Sequence, residues 1–378
     1  MLLLSLLAPN FVWAYPPDNA AVIYYRSIVD FEKPDDALWG QVRQAAKGQT
    51  EINKQVRDYL ESEATLIQSL ETASAIPNCD WGLDFSHGLS MELPHISTMR
   101  CFAQIVSAKA RLKIQQEQYP QALDLCLVNI RMAGHVGNDT LISYLVGTAM
   151  TKSTYDAIGQ ILSAMPPDEA FLTDIQRELE LPEHNLLNMK TALQNESWII
   201  ADEIVRMGPE TKSLFSDQSA SEKMQKDMTL LTDGDPAFLK ASADYYRGVF
   251  DKYIIALGQP YEQALKTLKE SMNAPSKDYK AGKKEALATT FLAPAVTMAY
   301  DIDIRRKTHQ NALIAAVQLY RDYAKKGTLP EKLPAMCPKD LFSGQSFEYE
   351  KTDKGFTLRC KQADTKDKIH EYTFKLSK

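Results

Sequence analysis

Tyr119-Pro-Gln-Ala-Leu-Asp-Leu-Cys-Leu-Val-Asn-Ile-Arg-Met-Ala-Gly134 places apolar residues at Leu123, Cys126, Leu127 and Ile130. That is the i, i+3, i+4, i+7 spacing of a helix with one buried face. Pro120 suits a first helical turn, where its missing N–H costs nothing. Gly134 and Gly137 stop the pattern. Upstream, Met99, Phe102, Ile105 and Val106 form another stripe on a helix that runs from Pro94 to about Gln116. Downstream, Ile142, Leu145, Val146, Ala149 and Met150 continue the logic in a third helix that ends before Pro166-Pro167. Long helices joined by short turns favour antiparallel neighbours.

The same reading extends outward over residues 19–324. Asn19 can cap a helix carrying Ala20, Val22, Ile23, Tyr24 and Ile28. One helix is expected over residues 51–72, others over 186–207 and 236–257, and a long one over 284–324 that breaks or kinks at Pro294. Residues 208–235 are polar and read as a connection or a poorly packed helix. At Gly327 the character changes. Pro330, Pro334 and Pro338 are followed by alternation in residues 347–350, 356–359 and 372–376, with Asp353-Lys354-Gly355 as a turn. The expected fold is mainly α: an irregular, TPR-like array of antiparallel helix pairs over 15–326, with a small three-stranded antiparallel sheet in a C-terminal subdomain, 327–378.

The first seventeen residues carry no charge, and an apolar run from Leu2 to Val12 leads to Ala14. The run is too short to span a bilayer and fits the hydrophobic region of an export signal over residues 1–14. The mature protein is therefore expected outside the cytoplasm, in the periplasm, on the envelope or secreted, with no transmembrane span. There, cysteines can oxidise. Of the five, Cys337 and Cys360 flank the C-terminal hairpin and form the expected disulfide, whose loop closure would contribute roughly 3 kcal/mol. Cys126, on its apolar stripe, reads as a small buried hydrophobe.

A net charge of −6 without a basic stripe excludes a nucleic-acid partner. The Lys280, Lys283, Lys284 patch reads as a solvated face. No GxSxG, Walker or GxGxxG string occurs, and no CxxC or HExxH, so no cofactor or metal is expected.

Tyr119-x-x-Ala122 and Tyr261-x-x-Ala264 resemble the turn into the second helix of tetratricopeptide repeats, although a regular period of about 34 residues is not visible. Ile76-Pro-Asn-Cys-Asp-Trp-Gly82, Leu93-Pro-His95 with Met99-Arg100, His135-Val-Gly137 and Leu141-Ile-Ser-Tyr-Leu-Val-Gly147 resemble segments of uncharacterised, exported helical proteins of planctomycete-like bacteria. So do Tyr320-Arg321, Gly327-Thr-Leu-Pro330 and Asp340-Leu-Phe342-Ser-Gly344. The last is also distantly similar to the C-terminal region of type II secretion pseudopilins, with Leu341 where that pattern has Pro. The resemblance implies export and a helical body, and no activity.

The densest polar cluster is Asp80, Asp84, His87 and His95, with Trp81. Two carboxylates and two imidazoles could hold a metal or run acid–base chemistry. The alternative is a capped loop in which Trp81 packs inward and the Asp side chains satisfy backbone N–H groups. His135, near a helix end, is expected to oppose the dipole's negative pole. Glu196, Asp202 and Glu203, with Trp198, read as a solvated face. Three functions stay open. The first is an exported scaffold that binds another envelope protein or peptide through a groove with exposed aromatics, Tyr24, Tyr25 or Tyr144. The second is a hydrolase of envelope polymer acting through the 80–95 loop. The third is a structural envelope component that assembles through the edge of its sheet.

Overall fold

The computed structural model describes residues 18–181, 186–208, 222–233, 235–293 and 296–376. The expected export segment, Pro294 and much of 208–235 lie outside them. The helices are α1 Ala20–Asp30, α2 Asp36–Ala46, α3 Lys54–Ser62, α4 Ala64–Ser74, α5 His95–Gln115, α6 Tyr119–Val136 and α7 Leu141–Ala164. Then come α8 Glu169–Glu180, α9 Met189–Arg206, α10 Glu222–Thr232, α11 Pro236–Ala256, α12 Tyr261–Lys280, α13 Leu287–Leu292 and α14 Val296–Lys326. Strands β1 Glu348–Thr352, β2 Gly355–Arg359 and β3 Glu371–Lys375 form an antiparallel meander in that order. The mainly helical body and small terminal sheet are as expected.

Helices α5, α6 and α7 pack in series, and α14 lies against α7 and α8. Elsewhere α2 lies on α5, α1 on α4, and α11 between α9 and α12. The stripes that predicted α5 and α6 are the buried ones: Met99, Phe102, Ile105, Val106, Leu123, Cys126, Leu127 and Ile130 are all core. The two Tyr-x-x-Ala turns behave alike, since Tyr119 and Tyr261 open α6 and α12 and Ala122 and Ala264 are both fully buried. The α6–α7 crossing needs Gly147, because a Cβ there would lie 2.7 Å from the Ala133 carbonyl oxygen. Gly355 plays the matching part in the sheet: its φ is +155°, and a Cβ would lie 2.0 Å from the Phe374 carbonyl oxygen.

Two local expectations change, and two features were not foreseen. Helix α2 was not foreseen; it is short, and its buried face is made of only Trp39, Val42, Ala45 and Ala46. Residues 51–72 form two helices, because the chain leaves helical geometry at Glu63 (φ −84°, ψ 13°). Pro275 lies inside α12. All five cysteines are free thiols, so the expected Cys337–Cys360 bridge is not made here. Cys360 lies beside Asp340, and burial pushes its thiol pKa up, which leaves it an inert buried group.

A polar seam helps to fasten the sheet to the helices. On α14, Asp301 accepts from the Tyr261 hydroxyl at 2.6 Å and from the Thr365 N–H at 3.3 Å. Arg305 bridges Asp301 and Asp364 at 3.3 and 2.8 Å. Asp364 also accepts the Lys366 and Lys368 N–H groups, at 2.8 and 3.0 Å, and meets His370 at 2.9 Å. Burial opposes its ionisation, but these donors outweigh it and hold the carboxyl down at about 2.

Candidate functional site: a groove beside the open edge of β3

Pairing with β2 fixes which backbone groups of β3 are free. The Cys360 N–H donates to the His370 carbonyl and the Leu376 N–H to the Lys354 carbonyl, each at 2.8 Å. With the register Leu358↔Tyr372 and Phe356↔Phe374, the main-chain groups of Tyr372 and Phe374 therefore point to β2. Those of Glu371, Thr373 and Lys375 point the other way. Lys375 is capped on that side: its N–H donates to Ser163 Oγ at 3.2 Å, and its carbonyl accepts from the Tyr320 hydroxyl at 2.6 Å. Among the described residues, the outward N–H and C=O groups of Glu371 and Thr373 have no partner.

This open edge borders a groove of about 530 Å³. Its opposite wall is one face of α7, built by Tyr155, Asp156, Gly159, Gln160 and Ser163 at helical spacing. His309 of α14 lines the floor. Its ring stacks on Tyr372, with centroids 4.8 Å apart, and meets Tyr155 edge-on at 5.5 Å. Burial pushes its pKa from 6.5 down to about 4, so the imidazole is neutral near pH 7. Its Nε2 is 4.0 Å from Asp156 Oδ1, beyond hydrogen-bond reach. Ser163 Oγ donates to the Gly159 carbonyl at 2.9 Å while accepting from Lys375. The hydroxyl is committed to backbone and no base addresses it.

The polar cluster singled out in the sequence is dispersed. Asp80 Oδ1 accepts the Gly82 N–H and Asp84 Oδ1 the Ser86 N–H, each at 2.9 Å. Asp84 and His87 form an exposed pair at 3.4 Å. His95 is fully buried, its ring stacked on Trp81 with centroids 4.0 Å apart and both nitrogens without partners. Trp81 in turn stacks on Tyr24 and donates Nε1–H to the His135 carbonyl at 2.8 Å. The loop is a plug: the aromatic ring goes in and the carboxylates cap their own turns. The four residues share no site.

Other sites move as well. Burial holds His95 and His135 at about 4, so His135 is neutral and does not act as a cation at the end of α6. Its Nδ1 instead lies 3.0 Å from the Tyr24 hydroxyl. Tyr24 and Tyr144 are fully buried and cannot line an open groove; Tyr25 is half-buried. Glu196 is not solvated: it accepts the Leu141 N–H at the start of α7, at 3.2 Å, and burial raises its pKa. Trp198 remains exposed.

A denser cluster went unread in the sequence. Asp303, almost wholly buried, accepts from the Tyr144 hydroxyl and lies 3.1 Å from Arg306 and 2.8 Å from Lys307. Burial opposes its charge, yet Lys307 and Arg306 prevail and hold its pKa below the usual carboxylate value. The available signal was charge spacing in Asp301-Ile-Asp303-Ile-Arg305-Arg306-Lys307, which sets acids three and four residues before bases. Among the described residues, no group of three His, Cys, Asp or Glu side chains could hold a metal ion. No described helix is long and apolar enough to cross a membrane. No known protein family, curated protein or solved structure matches the chain.

Proposed function

We propose that the protein is an exported helical scaffold that binds an extended segment of another envelope protein or peptide along the open edge of β3. The carrying observation is the pair of unpartnered main-chain positions, Glu371 and Thr373, facing a groove walled by α7. An extended peptide laid there would complete the ladder with its own backbone, and α7 would read its side chains. The occupant would lie between Asp156 and Glu371 on the acidic side and Lys375 at the capped end. Edge strands left open and flat invite unwanted pairing. Here the free edge is two residues long and borders a helix, which limits how far pairing can extend along it.

Thr373→Pro tests this reading. Proline deletes the outward N–H, and a non-pairing edge position tolerates its ring. Peptides selected from a random library on the wild-type protein should lose binding to Thr373→Pro while its melting temperature is kept. Undiminished binding by the variant would exclude the edge as the site. Export is tested separately, by N-terminal sequencing of the protein recovered from the envelope fraction: cleavage after Ala14 is expected.

A further inference from the structure

A second cleft lies between the C-terminal end of α2, α5 and α7, away from the β3 groove. Its volume is about 280 Å³, near the lower end of small-molecule sites. Arg43 and Lys47 reach it from α2, Arg100, Gln104 and Ser107 from one face of α5, and Ser153 from α7. No carboxylate lines it. Among the described residues, Arg43, Lys47 and Arg100 make no ion pair, in a chain whose net charge is −6. Three cations around one concavity without a carboxylate repel each other, and an anion relieves that repulsion.

The floor supplies the second, independent observation. Ser107 is 3 % exposed, and its Oγ accepts from Asn129 Nδ2 at 2.8 Å. The other proton of that amide goes to the Ala103 carbonyl at 3.0 Å, which fixes the amide's orientation. Ser107 thus keeps its own hydroxyl proton without an acceptor, on the wall of a cationic cleft. One turn along the same face of α5, Arg111 is 5 % exposed. Its Nε donates to the Ala46 carbonyl at 2.9 Å, and its Nη2 has no partner.

We propose that this cleft binds a small oxyanion of the phosphate class, inorganic phosphate or a phosphate monoester. Arg43, Lys47 and Arg100 supply the charge, and the Ser107 hydroxyl and Gln104 amide supply neutral donors. Two arginines offer the forked donor geometry that tetrahedral oxyanions accept.

The test uses the full chain and inorganic phosphate, with ionic strength held constant by chloride. Phosphate binding is read from ³¹P line broadening and from the rise in melting temperature. The wild type should saturate on both. Arg43→Gln/Arg100→Gln, two exposed positions whose loss leaves the core intact, should weaken binding by about tenfold or more, since each charge-assisted hydrogen bond is worth roughly a factor of ten. Gln104→Glu, which sets a negative charge in the cleft, should do the same. Lys280→Gln/Lys283→Gln, on a distant basic patch, should bind as wild type, and so should Thr373→Pro. A response that does not saturate, or that the Arg43/Arg100 and Gln104 variants retain, overturns the site.

Discussion

The loop of residues 79–95 and the α14 segment of residues 300–310 are both rich in acids and bases, and the protein uses them in opposite ways. In the loop, Asp80 and Asp84 turn back onto their own backbone, and only the neutral aromatic side chains go inward. In α14, helical spacing puts Asp301 with Arg305, and Asp303 with Arg306 and Lys307, and carries Asp301, Asp303 and Arg306 into the interior. Proximity in sequence makes a cluster only where the local geometry projects the side chains to one side. The loop stabilises by apolar stacking, and α14 stabilises by charges that cannot be removed singly.

The sharpest way to break that contrast is Asp303→Ala. It removes the buried carboxylate that faces Arg306, whose side chain is 3 % exposed, and should destabilise the fold by about 3–5 kcal/mol in urea unfolding. Replacing Asp303 and Arg306 together by apolar residues should recover much of that loss. Asp84→Ala in the loop removes only an exposed cap and should shift the unfolding midpoint far less. Equal effects from Asp303→Ala and Asp84→Ala would dissolve the distinction. Next in size is Gly147→Ala, where the new methyl meets the Ala133 carbonyl oxygen; a loss of about 1–3 kcal/mol is expected.

Acid should act on both regions through buried neutral imidazoles, His309 in α14 and, on the loop side, His95 with its neighbour His135. Folding lowers the pKa of His95 and His135 from 6.5 to about 4 because burial disfavours the imidazolium. Between those values the unfolded chain binds more protons than the native one, so stability falls as pH drops. Their contribution is whole above about pH 6.5 and is lost progressively toward pH 4. His95→Phe, which keeps a flat ring on Trp81, should flatten that decline in melting temperature between pH 7 and pH 5. An unchanged slope would mean that His95 is not buried as a neutral ring. Smallest, Gly159→Ala adds a methyl at ordinary contact distance, 3.7 Å from Phe374, and should stabilise α7 by about 0.4–1 kcal/mol.

The sequence made legible the elements that carry their own signal. Helices α5, α6 and α7 were readable because each has a long stripe at one spacing. The sheet was readable because Phe356 and Leu358 alternate with polar neighbours after the Asp353-Lys354-Gly355 turn. Helix α2 was not, since eleven residues give too short a stripe. The inward turn of Trp81 was one of two readings that the loop allowed. The β3 groove was out of reach for a different reason: it exists only because Ser163 and Lys375, 212 residues apart, are brought into contact. Which backbone groups of a strand stay unpaired is decided by such packing, and residue types do not encode it locally.

Hydrogen exchange at the amides of Glu371 and Thr373, with and without a peptide selected on the wild-type protein, tests the central claim most directly. The account predicts fast exchange in the free protein and strong protection of both amides when peptide is bound, with Tyr372 and Phe374 protected throughout by β2. Slow exchange at Glu371 and Thr373 in the free protein, or no change on binding, would contradict it.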